Sequence, residues 1–186
     1  MSTYFSYFPL VTHSSQRVLD ISRRAKIRER LQGNPYLYLP YTIKGDEKPE
    51  DIANYYYSDV NKTWMVLLAN DIVDVYSQWP KTTENFENYL QVKYAESANT
   101  TGQEVLEWTQ NQTIDDNIVH YKNNEDETIL LSPQSTSSDQ FVLNEWTPVR
   151  VYEYEFDLNE SKRIIFLFNV VYAEQIESEL QRVMNE

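Results

Sequence analysis

The sequence predicts an α+β fold, with a small βααβ core carrying an N-terminal arm and helix and a C-terminal extension of strand and helix. Three observations predict it. Residues 38–43 are rich in β-forming side chains and run into a turn at Lys44-Gly45-Asp46. Two short segments, 49–57 and 60–70, have helix-start signals. Near the C-terminus, Tyr172, Ile176, Leu180, Val183 and Met184 recur at helical spacing. At 186 residues with 41% apolar side chains the chain can form a real core, and 15 Tyr, 7 Phe and 4 Trp against 3 Gly put much of the burial on large amphipathic rings.

In chain order, residues 1–13 read as an extended, sticky arm with Tyr4, Phe5, Tyr7 and Phe8 ahead of Pro9. From Ser15 to Leu31, Val18, Ile21, Ala25 and Ile27 give an approximate helical stripe, stopped by Gly33 and Pro35. The next segment, 38–43, is a strand whose Pro40 belongs on an edge or bulge. Pro49 suits the first position of a helix, and Glu50 and Asp51 suit its first turn, where the dipole favours carboxylates. Asp59 is a candidate N-cap for the second helix, on which Trp64, Leu67 and Leu68 share a face. Ile72 to Tyr76 then reads as the closing strand, ended by Trp79-Pro80.

Beyond this core, Thr82 to Ala95 has a helical stripe of Phe86, Tyr89, Leu90 and Tyr94. Residues 97–147 read as an irregular, mobile β insertion with strand candidates at 105–109, 118–121, 128–131 and 141–143, and a low-complexity stretch over 132–139. Alternation over 149–156 predicts a strand, 163–168 reads as a strand or a helix extension, and a C-terminal helix follows. The expected organisation is therefore an arm and basic helix (1–35), the βααβ domain (36–80), a connecting helix (81–96), the insertion (97–147) and the C-terminal strands and helix (148–186).

Composition narrows the function. No cysteine means no disulfide framework and no thiolate zinc site. Residues 1–11 lack the pattern of a secretory signal, and no apolar run approaches the ~20 residues that span a bilayer. A net charge of −13 argues against nucleic-acid binding. Residues 17–30 depart from that balance at +4, with Arg17, Arg23, Arg24, Lys26, Arg28 and Arg30 against Asp20 and Glu29. That segment is either a solvated helix face or a docking helix for an acidic partner. Two isolated histidines, His13 and His120, and three scattered glycines supply no triad, metal centre or phosphate loop, so neither cofactor, metal nor catalytic residues are expected. Four Asn-x-Ser/Thr sequons have no consequence without secretion.

The block from Tyr41 to Ala53, with Gly45, Asp46, Ile52 and Ala53, followed by Tyr57, Trp64, Leu67, Leu68 and Asn70, resembles a LysM domain. A wider set is similar to the LysM-like baseplate wedge proteins of contractile-tailed phages: Asp20 to Arg24, Arg28 to Leu31, Trp64 to Asn70, Asn70 to Pro80, Phe86 to Tyr94, Asn159 to Ile165 and the final helix, about two thirds of the chain. The resemblance implies a non-enzymatic subunit of the virion tail baseplate, made in the host bacterial cytoplasm and present in multiple copies. It would dock on other wedge and inner-baseplate proteins and help join neighbouring wedges, with no part for membrane or nucleic acid. Candidate partner contacts are Tyr4, Phe5, Tyr7, Phe8, Arg23, Arg24, Arg28, Tyr76 and Trp79, and the implied core is Ile43, Ile52, Ala53, Trp64, Leu67 and Leu68. The alternative is a module binding peptidoglycan or N-acetylglucosamine through loops at Gly45, Asp46, Asn70 and Ile72; Glu47-Lys48 departs there from the usual Thr/Ser-Leu. A cell-wall hydrolase is a remote third reading.

Overall fold

A computed structural model describes residues 4–22, 35–137 and 142–185. After a 3₁₀ turn at Tyr4–Tyr7 come β1 (Leu10–His13), β2 (Gln16–Leu19), β3 (Tyr38–Thr42), α1 (Pro49–Tyr57), a 3₁₀ turn at Val60–Lys62, α2 (Thr63–Ala69) and the single-turn α3 (Val75–Gln78). Next are α4 (Thr83–Ala98), α5 (Gln103–Gln110), β4 (Ile118–Asn123), β5 (Leu130–Leu131), β6 (Trp146–Arg150), α6 (Val151–Ser161), β7 (Ile164–Phe168) and α7 (Ala173–Asn185). The mixture of helices and small sheets is α+β. Two compact units result: residues 1–79 with 163–186, and residues 80–162.

In the first unit, the antiparallel pair β3–β7 packs with α1, α2 and α7 around a continuous apolar core that includes Ile43, Ile52, Ala53, Met65, Val66, Phe168, Ile176 and Leu180. Pro49 opens α1, with Glu50 and Asp51 in its first turn as expected, and Asp51 accepts from the Lys48 N–H. Asp59 caps the Asn61 N–H, although the first turn of the second helical segment is 3₁₀. On α2 the fully buried side chains are Met65, Val66 and Ala69; Trp64 is buried, whereas Leu67 and Leu68 are only half-buried.

Pairing phase explains why this small sheet stops at two strands. The Ile43 N–H donates to Arg163 O and the Asn169 N–H to Leu37 O, so the backbone groups of residues 38, 40 and 42 point away from β7. Pro40 stands in that outward row and has no N–H to offer an extra strand. On β7, Asn70 Oδ1 accepts from the Phe166 N–H while its Nδ2 donates to Phe166 O, both at 2.8 Å, and Tyr57 Oη donates to Phe168 O at 2.9 Å.

The second unit combines α4, α5 and α6 with the three-stranded sheet β5-β4-β6. Its apolar centre, Phe86, Leu90 and Leu106, is small. Thr82 caps α4, and Asn99 ends it in the left-handed region. Asn159 exchanges two hydrogen bonds with the Lys81 backbone, at 2.8 and 3.1 Å, tying the two ends of the unit together.

Four local expectations are overturned. Ser15 to Leu19 begins no helix: Ser14 and Ser15, both at positive φ, make a two-residue turn joining β1 to β2. The remainder of that predicted helix, from residue 23, lies outside the described residues. Ile72 to Tyr76 is not a strand, because Asp71 turns left-handed and Asp74 caps α3 through the Tyr76 N–H; the closing strand comes instead from residues 164–168. Residues 105–109 are helical, burying Val105, Leu106 and Thr109 on one face. Residues 151–156 are helical too, and the reason is instructive: the buried face of α6 is Val151, Glu155 and Asn159, so two of its three inward positions are polar and hide the helical period. Of the remaining strand candidates, 118–121 lies within β4, 128–131 contributes only β5, Phe141 is outside the described residues and Leu143 opens a 3₁₀ turn.

Candidate docking surface

The N-terminal arm is laid against α2 through its rings. Tyr4 stacks on Trp64 with centroids 6.0 Å apart, Tyr7 meets Trp64 edge-on at 5.8 Å, and Phe8 is buried in the core beside Tyr4 at 5.0 Å. Phe5 points outward and is 57% exposed. Beside the arm, Tyr4, Trp64, Leu67, Leu68, Asp71, Ile72 and Val73 line an open groove of ≈ 300 Å³. The rings and leucines make it chiefly apolar. Val73 on its edge is 65% exposed, and Tyr76, three residues on, is 91% exposed. Phe5, against Tyr4, and Val73, in the groove wall, thus keep apolar surface exposed beside Trp64.

The other residues singled out from the sequence have different surroundings. Trp79 is buried and its Nε1 donates to Glu47 O at 3.0 Å, so its ring serves the first unit internally. Arg23, Arg24 and Arg28 lie outside the described residues. Gly45 adopts φ +52°, and its carbonyl accepts from the Arg163 guanidinium at 2.7 Å; Asp46 is exposed. Asn70 is occupied by Phe166 and by Val66 O, and the Ile72 N–H donates to Leu67 O. Tyr41 Oη donates to Glu47 near that turn; burial, then this bond to a carboxylate, pushes the phenol up to about 12.

The sequence reading missed two polar clusters in the second unit. Glu155, 4% exposed, receives Lys93 Nζ at 2.6 Å, Tyr94 Oη at 2.7 Å and Tyr89 Oη at 3.2 Å. Burial pushes its carboxyl up, but the hydrogen bonds from Lys93 and Tyr94 outweigh that and hold it below its ordinary value. For Lys93 burial acts downward, and its bonds to Glu155 and Tyr89 prevail to raise it. The Tyr94 hydroxyl is pushed up to about 12 by burial and by its bond to Glu155. In the second cluster, buried Arg150 donates to Asn117 Oδ1 at 2.5 Å, to Gln112 Oε1 and O at 3.0 and 2.8 Å, and to Ile114 O. These carbonyls follow the C-terminal end of α5, where a cation is favoured. Helical spacing of Tyr89 and Lys93 was readable; their meeting with Glu155, more than sixty residues away, was not.

His13 lies in β1 and His120 in β4, where its ring meets Tyr154 edge-on. Among the described residues no group of three or more His, Cys, Asp or Glu is placed to hold a metal ion, and no helix is long and apolar enough to cross a membrane. Compared with known proteins, the chain is matched over residues 17–185 by the phage family described as "Base plate wedge protein 53". No curated protein matches it.

Proposed function

Since the chain belongs to the base plate wedge protein 53 family, and so is a structural protein of the phage tail baseplate, we propose that it works by docking on other wedge and inner-baseplate subunits and helps join neighbouring wedges. The observation that carries this is the open, chiefly apolar groove beside Trp64, with exposed Val73 in its wall and exposed Phe5 against Tyr4. Aromatic anchors of this kind dominate protein interfaces once water is excluded from them. The core set Ile43, Ile52, Ala53 and Trp64 then acts as a rigid support, while Tyr4, Tyr7 and Phe8 fix the arm that completes the surface. Arg23, Arg24 and Arg28 add charge for an acidic partner.

The reading includes manufacture in the host bacterial cytoplasm and several copies per baseplate. Co-expression with the other wedge subunits of the same virion tests it. A stable complex is expected with at least one of them, weakened about tenfold or more by Tyr76→Ala combined with Val73→Ser. Failure to co-purify with every wedge subunit overturns the reading.

A further inference from the structure

The outer edges of β3, β7 and β6 are each interrupted or occupied. Pro40 stands in the outward row of β3, and Asn70 and Tyr57 occupy that of β7. In the second unit the Asn124 N–H donates to Glu145 O, which sets the phase of β4 and β6 and turns Pro148 outward on β6. The hairpin β1–β2 is built otherwise. The Asp20 N–H donates to Pro9 O at 2.9 Å, so Val11–Val18 and His13–Gln16 are the hydrogen-bonded pairs and the backbone groups of Leu10 and Thr12 face outward. Among the described residues those outward groups have no partner. Nearly every residue of both strands is exposed, with Leu10 at 55%. A lone pair of four-residue strands is marginal in water and gains stability from a third.

Charge indicates what the third strand is. Residues 4–19 contain no Asp or Glu in a chain that has 29, and no carboxylate among the described residues pairs with Arg17. Thr12 and Arg17 are directly opposite, so their side chains share a face. A carboxylate beside Thr12 on an added strand would stand about 10 Å from the Arg17 backbone, two strand spacings, within reach of a long guanidinium side chain.

We propose that β1 receives an extended, acidic segment of another baseplate subunit as a third strand, along the edge formed by Leu10 and Thr12. This rests on the docking reading above and extends it to a different surface; β1 lies ahead of residue 17, where the family match begins. Backbone bonds supply the attachment, and Arg17 selects for acidity.

The test is hydrogen exchange and affinity on the full chain, alone and with each baseplate subunit that co-purifies with it. The Leu10 and Thr12 amides are expected to exchange freely in the isolated chain and slow about tenfold or more in the complex. Thr12→Pro removes an outward N–H and no ladder bond, so it should weaken the complex about tenfold at unchanged melting temperature; Arg17→Glu should weaken it about threefold, with the difference shrinking in high salt. A wild-type complex in which both amides exchange as before overturns the strand assignment and leaves the docking reading intact. Protection of the same amides by self-association alone makes the occupant a second copy and overturns the acidic-partner assignment. No complex with any subunit removes the reading and this inference together.

Discussion

The two units of this chain bury different chemistry. Of the 25 buried apolar residues described, 18 belong to the first unit and 7 to the second, whereas all five buried polar or charged residues, Thr109, Asn117, Arg150, Glu155 and Asn159, are in the second. Charge divides the same way: residues 80–162 hold 16 acidic against 5 basic side chains, and the remainder 13 against 11. The first unit is held by water leaving apolar surface, a force with little directional demand. The second depends on groups that are costly unless every partner is in place. One chain thus contains a unit tolerant of geometry and a unit that specifies it.

Substitutions test this division. The largest effect is expected from Phe168→Ala, which empties a fully buried site in the first unit and should cost about 4 kcal/mol, measured as loss of the hydrogen-exchange protection of β3 and β7. Trp64→Ala should fall in the same range. Arg150→Met in the second unit should cost about 3 kcal/mol, because it fills the volume yet strands the buried Asn117 Oδ1 and removes the bonds to the Gln112 and Ile114 carbonyls. A loss below 1 kcal/mol would show that water replaces the guanidinium and that the second unit is less exacting than described.

Between these and the smallest effects lies acid sensitivity. The folded-state pKa of Glu155 is depressed, so its contribution is present above the unfolded carboxylate value and lost as pH falls through the folded one. Acid titration should therefore loosen the second unit in the acid range, and Glu155→Gln should flatten this component while lowering stability at pH 7. At the alkaline end the raised pKa of Lys93 has the opposite sign: its contribution is present below the unfolded lysine value and is lost as pH rises through the folded one. A smaller change, about 2 kcal/mol, is expected for Asn70→Ala, which exposes the Phe166 edge of β7. Tyr57→Phe should be smallest, about 1 kcal/mol, through loss of the bond to Phe168 O. Both are readable as shifts in urea midpoint.

Legibility was uneven in both units. In the first, Pro49 with Glu50 and Asp51 starts α1, Asp59 caps the next turn, and the stripe from Tyr172 to Met184 faces the core, but the positive-φ turn at Ser14-Ser15 and the left-handed Asp71 replaced the helix and the strand expected there. The docking residues were partly readable as aromatic excess in the arm. That Phe8 and Trp79 turn inward while Phe5 and Tyr76 stay out depends on tertiary contacts. In the second unit the period failed at α6, where Glu155 and Asn159 occupy inward positions, and at α5, whose eight residues are too few to separate a helical stripe from a strand.

The α+β class, both ends of α1 and the charge imbalance follow from the order of residues alone, since caps, prolines and ionisable groups act over a few residues or by simple summation. That residues 164–168 close the sheet in place of 72–76, that Asn70 plugs its edge and that Lys93 meets Glu155 was settled by packing across the chain. Those are pairings across tens of residues, and their free energy arises when burial removes the competing water from both partners at once.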